Sequence, residues 1–140
     1  MDAKPLLLVD VDGVISLFGF PSNKRPPGSW VIVDVAPHLL SSEAARSLQA
    51  LEDVFEPVWC TGWEERANEY LPHALGLGPW PHVALDRARG PGHTTAGHWK
   101  LAAIDAHAGA DRPLAWIDDA FNEACGTWAA ARAAPTLLVA

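Results

Sequence analysis

The sequence is poor in cysteine and contains no long apolar run. Its two cysteines, Cys60 and Cys125, are too few for a disulfide scaffold, so we expect reduced, buried thiols in a cytoplasmic protein. No stretch reaches the roughly 18 apolar residues of a membrane span. The first apolar run stops at Asp10, without the basic segment and long apolar region of a secretory signal. We therefore expect neither a membrane protein nor a secreted, disulfide-stabilised one.

Basic residues are also scarce. Ten lysines and arginines stand against 17 aspartates and glutamates, for a net charge of −7. This balance argues against a general affinity for anionic membranes. Nucleic acid is a possible partner, but the net charge does not indicate it. The one adjacent basic pair, Lys24 and Arg25, either contacts a polyanionic substrate or belongs to a solvated loop.

What the chain does contain is an alternation of short apolar runs and helical segments. At 140 residues and 49% hydrophobic content, residues 1–140 are expected to form one domain. Strands that alternate with helices predict a parallel sheet covered on both faces. The predicted fold is α/β: a three-layer, doubly wound (Rossmann-like) sheet of about five strands. The predicted strands are residues 6–9, 57–60, 83–85, 113–117 and 136–139.

The predicted helices lie between these strands, and two other segments are irregular. Helices are expected from Ser41 or Ser42, over 63–73, from 98 to Gly109 and over 121–133. A β-hairpin flap is expected at about residues 15–35, where two β-prone runs flank a cluster rich in proline, and 87–97 is expected to be a loop.

Polar residues follow three of the predicted strands, and a lysine lies near the start of a helix. In a parallel sheet such strand ends share one edge, so these residues are expected to surround one crevice. Close carboxylates repel each other unless a cation holds them, and oxygen ligands of this kind suit Mg²⁺. The residues are Asp10, Asp12, Thr61, Gly62, Lys100, Asp118 and Asp119.

This set of groups indicates phosphoryl transfer. An aspartate nucleophile can form an aspartyl-phosphate, and a second carboxylate, Asp12, can protonate the leaving oxygen and later activate water. Backbone N–H groups of a helix start after Thr61-Gly62 can bind a phosphate, and Lys100 can neutralise a phosphoryl group.

The same residues resemble the four motifs of the haloacid dehalogenase superfamily. The resemblance covers nearly the whole chain and implies a Mg²⁺-dependent phosphatase that works through an aspartyl-phosphate. Retention of Asp12 favours a phosphatase over a carbon–halogen hydrolase. The motifs are Asp10-Val11-Asp12-Gly13-Val14, Thr61-Gly62, Lys100 and Asp118-Asp119.

The resemblance also implies a role for each residue. Asp10 is the expected nucleophile and a metal ligand, and Asp12 the acid/base, with its backbone carbonyl on the metal. Asp118, with Asp119 acting through water, completes the expected metal site. The residues expected to bind phosphate are Thr61, Gly62 and Lys100.

The segment between the first two motifs has room for the flap and one helix but not for a cap domain, so the chain resembles a small, capless member. An open site favours either a large substrate, such as a nucleic-acid end or a phosphoprotein, or closure by a second copy in a homo-oligomer. Whether the phosphorylated substrate is a small molecule or a macromolecule stays open. The alternatives are a non-catalytic binding module of the same fold and a nucleic-acid end-processing phosphatase.

Other residues near the predicted crevice allow two interpretations. Trp59, Trp63, Trp99 and Trp116 either pack in the core or stack on a substrate. Cys60 is interpreted as a buried strand cysteine. His93 and His98 lie near Lys100 in sequence and either help to bind substrate or have no such role.

Overall fold

The chain contains both strands and helices, and four strands precede the first helix. The computed structural model describes residues 3–85 and 98–140; the predicted loop at 87–97, with His93, lies outside them. The strands are β1 (Leu6–Val9), β2 (Ser16–Leu17), β3 (Gly28–Val33), β4 (Ala36–Ser41), β5 (Glu56–Trp59), β6 (Leu114–Ile117) and β7 (Thr136–Val139). The helices are α1 (Ser42–Leu51), a short 3-10 helix (Glu64–Arg66), α2 (Ala67–Leu75), α3 (Leu101–Ala108) and α4 (Glu123–Ala131).

The first apolar run lies at the centre of a parallel sheet. The strand order is β5-β1-β6-β7, with β1 paired in parallel to both β5 and β6, and β7 paired in parallel to β6. All four residues of β1 are buried, which is typical of a strand covered on both faces. The mixed α/β fold with a parallel sheet is therefore confirmed.

Helices cover the two faces of this sheet. Because side chains alternate along a strand, the odd-numbered residues of β1 pack with α1 and α2, and the even-numbered ones pack with α3 and α4. Burying each of these Leu or Val side chains contributes about 1.5–3 kcal/mol. The first cluster includes Leu7, Val9, Leu48 and Leu71; the second includes Leu6, Leu8, Ile104 and Cys125.

The predicted count of about five parallel strands is wrong for the residues that the structure describes, where the sheet has four. The predicted strand at 83–85 is replaced by an isolated parallel bridge between Trp59 and His82. Pairing does not continue because the Leu85 N–H donates to the Glu64 carboxylate, at 3.2 Å, rather than to β5.

The predicted flap is a small antiparallel sheet rather than a hairpin. Its order is β2-β4-β3, so the two runs expected to pair with each other instead flank β4. The pattern missed β4 because Pro37 lacks an N–H and argues against a strand. Pro37 is tolerated because it pairs only with Ile32 of β3, whereas β2 reaches no further than Leu39.

The helix predictions hold with shifted bounds. Ser41 caps α1, accepting a hydrogen bond from the Ala44 N–H at 3.1 Å. The helix predicted over 63–73 begins as the 3-10 helix and continues as α2, which ends at Gly76 with φ +69°. Among residues 3–85 and 98–140, every helix is too short or too polar to cross a bilayer.

Candidate functional site

Two acidic turns meet at the carboxyl ends of neighbouring strands. The Asp10 N–H donates to Ile117 at the end of β6, and the Asp118 N–H donates to Val139 at the end of β7, both at 3.1 Å. Asp10 and Asp118 are buried and Asp119 is exposed. One carboxylate oxygen from each of the three lies within 4.8 Å of the other two. These three aspartates, here called the aspartate cluster, can hold a metal ion.

Lys100 extends into this cluster from the residue before α3. Its side chain is only 4% exposed, and its Nζ lies 2.7 Å from Asp118 Oδ2 and 3.3 Å from Asp10 Oδ1. Nζ also donates to the Cys60 carbonyl, at 2.9 Å. The ammonium thus joins the ends of β1, β5 and β6, which the sequence predicted to share one edge.

The aspartate cluster is electrostatically crowded. Burial raises the pKa of Asp10 to about 7; the Asp118 charge acts in the same direction, and Lys100 opposes both. Burial alone would lower the pKa of Lys100, but the negative charges of Asp10 and Asp118 outweigh it and the pKa is raised. One ammonium therefore leaves negative charge in the cluster that a cation can balance.

Gly13 allows the two acidic turns to approach each other. Its φ is +80°, which glycine adopts without steric cost. A Cβ at this position would lie 1.9 Å from Asp119 Oδ2 and 2.3 Å from Asp119 Cγ. The absence of a side chain at Gly13 is therefore a condition for the observed position of Asp119.

The Thr61-Gly62 segment follows β5 beside the Lys100 contact. Thr61 is buried, and its Oγ1 accepts from the Trp63 N–H at 3.2 Å. The Glu64 N–H donates to the Thr61 carbonyl at 3.0 Å. The helix expected after this segment begins as the 3-10 helix at Glu64, and its α-helical part begins only at Ala67. Any phosphate contact here would involve the loop rather than the end of a long helix.

Asp12 is close to the aspartate cluster in sequence but its side chain has a different partner. Asp12 is exposed, and its Oδ2 accepts from the Trp63 indole Nε1–H at 3.2 Å. The two carboxylates of the first motif therefore have different surroundings, since Asp10 contacts Lys100 and Asp12 contacts an indole.

A cavity of about 310 Å³ lies beside Trp63, and no motif in the sequence predicted it. His38 and Arg66 were not predicted as site residues. His38 belongs to strand β4, which the sequence pattern missed, and Arg66 belongs to the 3-10 helix. The residues that line the cavity are Val33, Asp34, Ala36, His38, Gly62, Trp63 and Arg66.

His98 contacts the backbone of Lys100. It is buried, its Nδ1 accepts from the Lys100 N–H at 3.2 Å, and its ring packs edge-on against Trp116. Burial lowers the pKa of His98, which favours the neutral ring that this acceptor role requires.

The remaining aromatic and thiol candidates are mainly structural. Trp59 and Trp116 are fully buried in the two core clusters. Burial raises the pKa of Cys60 to about 12, which keeps it a thiol. A second group, whose ligand atoms lie within 4.8 Å of one another, consists of the partly buried Glu64 and His82 and the exposed Glu65.

No protein-family model, curated protein or solved structure matches this chain. Its function is therefore inferred from the chemistry of the aspartate cluster and its surroundings.

Proposed function

We propose that the protein is a Mg²⁺-dependent phosphatase that resembles the haloacid dehalogenase superfamily. The observation that carries the proposal is the contact of a buried lysine with two aspartates that follow adjacent parallel strands. Lys100 Nζ lies 3.3 Å from Asp10 and 2.7 Å from Asp118. A purely structural ion pair would need one carboxylate for one ammonium, whereas here three carboxylates converge.

The choice of Mg²⁺ rests on charge and donor type. When all three carboxylates are ionised, they exceed the one ammonium by two negative charges, which a divalent cation balances. All three donors are hard oxygens, and Mg²⁺ binds through one or two carboxylates together with waters and phosphate oxygens. In this proposal Asp10 and Asp118 would hold the ion directly, Asp119 would hold it through water, and the backbone carbonyl of Asp12 would complete the site; the ion, when bound, would neutralise charge on the phosphoryl oxygens.

Asp10 and Asp12 divide the chemistry. A carboxylate oxygen of Asp10 attacks phosphorus, and the bond from phosphorus to the ester oxygen breaks while Asp12 gives that oxygen its proton. Asp12 then takes a proton from water, whose oxygen attacks the phosphorus of the aspartyl-phosphate. Inorganic phosphate leaves and the Asp10 carboxylate is restored.

Lys100 and the Thr61-Gly62 segment would orient the phosphoryl group. Lys100 is fixed by three oxygen acceptors before substrate arrives, so its positive charge needs no reorganisation. The Thr61 hydroxyl uses a lone pair for the Trp63 N–H and keeps its hydrogen to donate to a phosphate oxygen. Among the described residues, only Trp99 comes near an added Cβ at Gly62, at 4.0 Å, which leaves room there for a phosphoryl oxygen.

The finer description of the fold belongs to the same proposal. A four-stranded parallel sheet with helices on both faces supports a doubly wound, Rossmann-like domain without a cap. The two unpaired, buried cysteines agree with a cytoplasmic location. The proposal also includes closure of the open site. The small antiparallel sheet, a large substrate or a second copy of the chain would cover it.

The test compares matched asparagine variants. Purified protein with Mg²⁺ should hydrolyse 4-nitrophenyl phosphate, and Asp10→Asn should reduce kcat by at least about 10³-fold because an amide is not a nucleophile for this reaction. Asp111→Asn is the control, since Asp111 is exposed and precedes β6 at the end of the strand away from Asp118. Equal activity in the wild type and Asp10→Asn would overturn the nucleophile assignment.

Binding measurements separate the alternatives. Mg²⁺ should raise the melting temperature of the wild type but not of Asp118→Asn. A Mg²⁺-dependent shift without turnover of any phosphate ester would support a non-catalytic binding module. Turnover confined to phosphorylated oligonucleotide ends would support the nucleic-acid alternative.

A further inference from the structure

The cavity beside Trp63 lies where the leaving group of the proposed reaction would be. Trp63 lines the cavity and donates its Nε1–H to Asp12 Oδ2, at 3.2 Å. Asp12 is the group proposed to protonate the leaving oxygen, so that oxygen has to come close to Asp12. Gly62, from the proposed phosphate-binding segment, lines the same cavity. The cavity therefore adjoins the proposed phosphate-binding segment through Gly62, and Trp63 connects it to Asp12.

Two aromatic rings form a corner of this cavity. The rings of His38 and Trp63 have centroids 5.3 Å apart and planes at 81°. A flat ring placed against one of them presents its edge to the other, which is the preferred geometry of aromatic contacts. His38 is fixed by a hydrogen bond with Ser16, 2.7 Å between Nδ1 and Oγ, so one side of the corner is held in place.

The rest of the lining favours a small, uncharged group. Val33 and Ala36 contribute apolar surface from the β3–β4 hairpin. The Arg66 guanidinium is paired to both oxygens of Asp34, at 2.7 and 2.9 Å, so these two charges neutralise each other. At about 310 Å³ the cavity is at the small end of ligand pockets, which matches one ring system better than a polymer segment.

The Trp63 indole also constrains Asp12. A carboxylate on an exposed turn rotates about its side-chain torsions, and a hydrogen bond to one oxygen restricts that rotation. With Oδ2 on the indole, Oδ1 is the atom left to exchange a proton with the leaving oxygen. Trp63 therefore acts as a positioning residue for Asp12 and as an aromatic surface for the substrate.

We propose that the cavity lined by His38, Trp63 and Arg66 is a leaving-group subsite that selects phosphate monoesters of flat, uncharged aromatic groups, and that Trp63 positions Asp12 there. This inference rests on the proposed phosphatase function. When the ester is cleaved, its oxygen takes the proton from Asp12 as its bond to phosphorus breaks. The alcohol that carries the aromatic group then leaves from the cavity.

The binding test needs no turnover. Benzylphosphonate and cyclohexylmethylphosphonate have the same carbon skeleton and the same charged group but differ in flatness. With Mg²⁺ present, calorimetry should show benzylphosphonate binding about three- to ten-fold more tightly. Trp63→Leu should abolish this preference and leave the affinity for inorganic phosphate unchanged. The control is Trp128→Leu, because the Trp128 indole contacts Asp105 on the other face of the sheet. This variant should keep the preference for benzylphosphonate.

The positioning role is tested with Trp63→Phe, which keeps a ring and loses the N–H. For benzyl phosphate, whose leaving oxygen needs a proton, kcat/KM should fall about ten- to hundred-fold, because kcat/KM reports formation of the aspartyl-phosphate and not its later hydrolysis. For 4-nitrophenyl phosphate, whose leaving group departs as an anion, the fall in kcat/KM should be less than about three-fold. Trp128→Phe, the matched control, should change neither.

The outcomes separate the two proposals. If both esters are hydrolysed but the two phosphonates bind equally well, or if Trp63→Phe lowers kcat/KM equally for both esters, the subsite proposal is overturned and the phosphatase proposal stands. If none of the esters is hydrolysed, the phosphatase proposal is overturned. The leaving-group assignment then fails with it, even if the phosphonates bind to the protein.

Discussion

Gly13 is the residue on which the proximity of the two acidic turns depends. It is the fourth residue of the first motif, its φ is +80°, and an added Cβ would overlap the Asp119 carboxylate. Conformation and contact both require glycine here, whereas at Gly19 only the conformation does: φ is +77°, and no atom of residues 3–85 or 98–140 lies within 4 Å of an added Cβ. Comparing substitutions at Gly13 and Gly19 therefore separates the effect of backbone strain from the effect of displacing Asp119.

We expect Gly13→Ala and Gly19→Ala each to lower the free energy of unfolding by about 1–2 kcal/mol, because alanine is strained at positive φ. Gly13→Ala should in addition lose the Mg²⁺-dependent part of the stability, because Asp119 has to move away. Denaturant unfolding with and without Mg²⁺ measures both effects. An identical response to Mg²⁺ in the two variants would show that Asp119 does not contribute to the metal site.

The hairpin between β3 and β4 is the element whose turn departs most clearly from its residue preferences. Its two central residues, Asp34 and Val35, have φ of +50° and +62°. Two-residue hairpins favour this conformation because it matches the twist of the strands, but they favour glycine or asparagine in it. Val35 is β-branched and 95% exposed, so its side chain adds strain without burying apolar surface.

Val35→Gly should therefore stabilise the protein, by about 1 kcal/mol, since it removes strain and loses no packing. Val54 provides the control: it is 58% exposed and its φ is not positive. Val54→Gly should be neutral or destabilising, by up to about 1 kcal/mol, because glycine gains conformational freedom in the unfolded chain. Thermal or denaturant unfolding compares them; a loss of stability in Val35→Gly would contradict the strain interpretation.

Over the whole molecule, the small antiparallel sheet and the parallel sheet are connected near the site by an ion pair. Arg66 of the 3-10 helix donates two hydrogen bonds to Asp34 of the hairpin turn. The hydrogen bond from Arg66 holds the pKa of Asp34 below its usual value of 3.8. Because both residues line the cavity, this pair links the position of the hairpin to the proposed leaving-group subsite.

The sign of the pH dependence follows from this lowered pKa. The contribution of the pair to folding is present at pH values above the usual 3.8 and is lost as the pH falls through the lowered pKa of Asp34. Carboxyl NMR titration should show Asp34 titrating below 3.8, and Arg66→Met should return it towards that value. Arg46→Met, which removes an exposed arginine from α1, should leave it unchanged. An unshifted Asp34 in the wild type would contradict the pairing.

Local patterns in the sequence were enough to predict much of the parallel sheet and the residues at its edge. An apolar run followed by aspartate predicted β1 with Asp10, and the same pattern predicted β6 with Asp118. Such runs are informative because burial on both faces leaves few alternatives to a central strand. The pattern failed where a local rule was overridden, as at Pro37 in β4, or where pairing stopped early, as after His82.

The sequence by itself determined which groups are available and roughly where they lie: the two aspartates of the first motif, the acidic pair after β6 and the lysine before α3. Only the tertiary structure decided their partners. Lys100 pairs with Asp10 and Asp118, and Trp63 holds Asp12 beside a cavity. The physical reason is distance along the chain: burial and propensity act on neighbouring residues, whereas a contact across 51 positions depends on how all the elements pack.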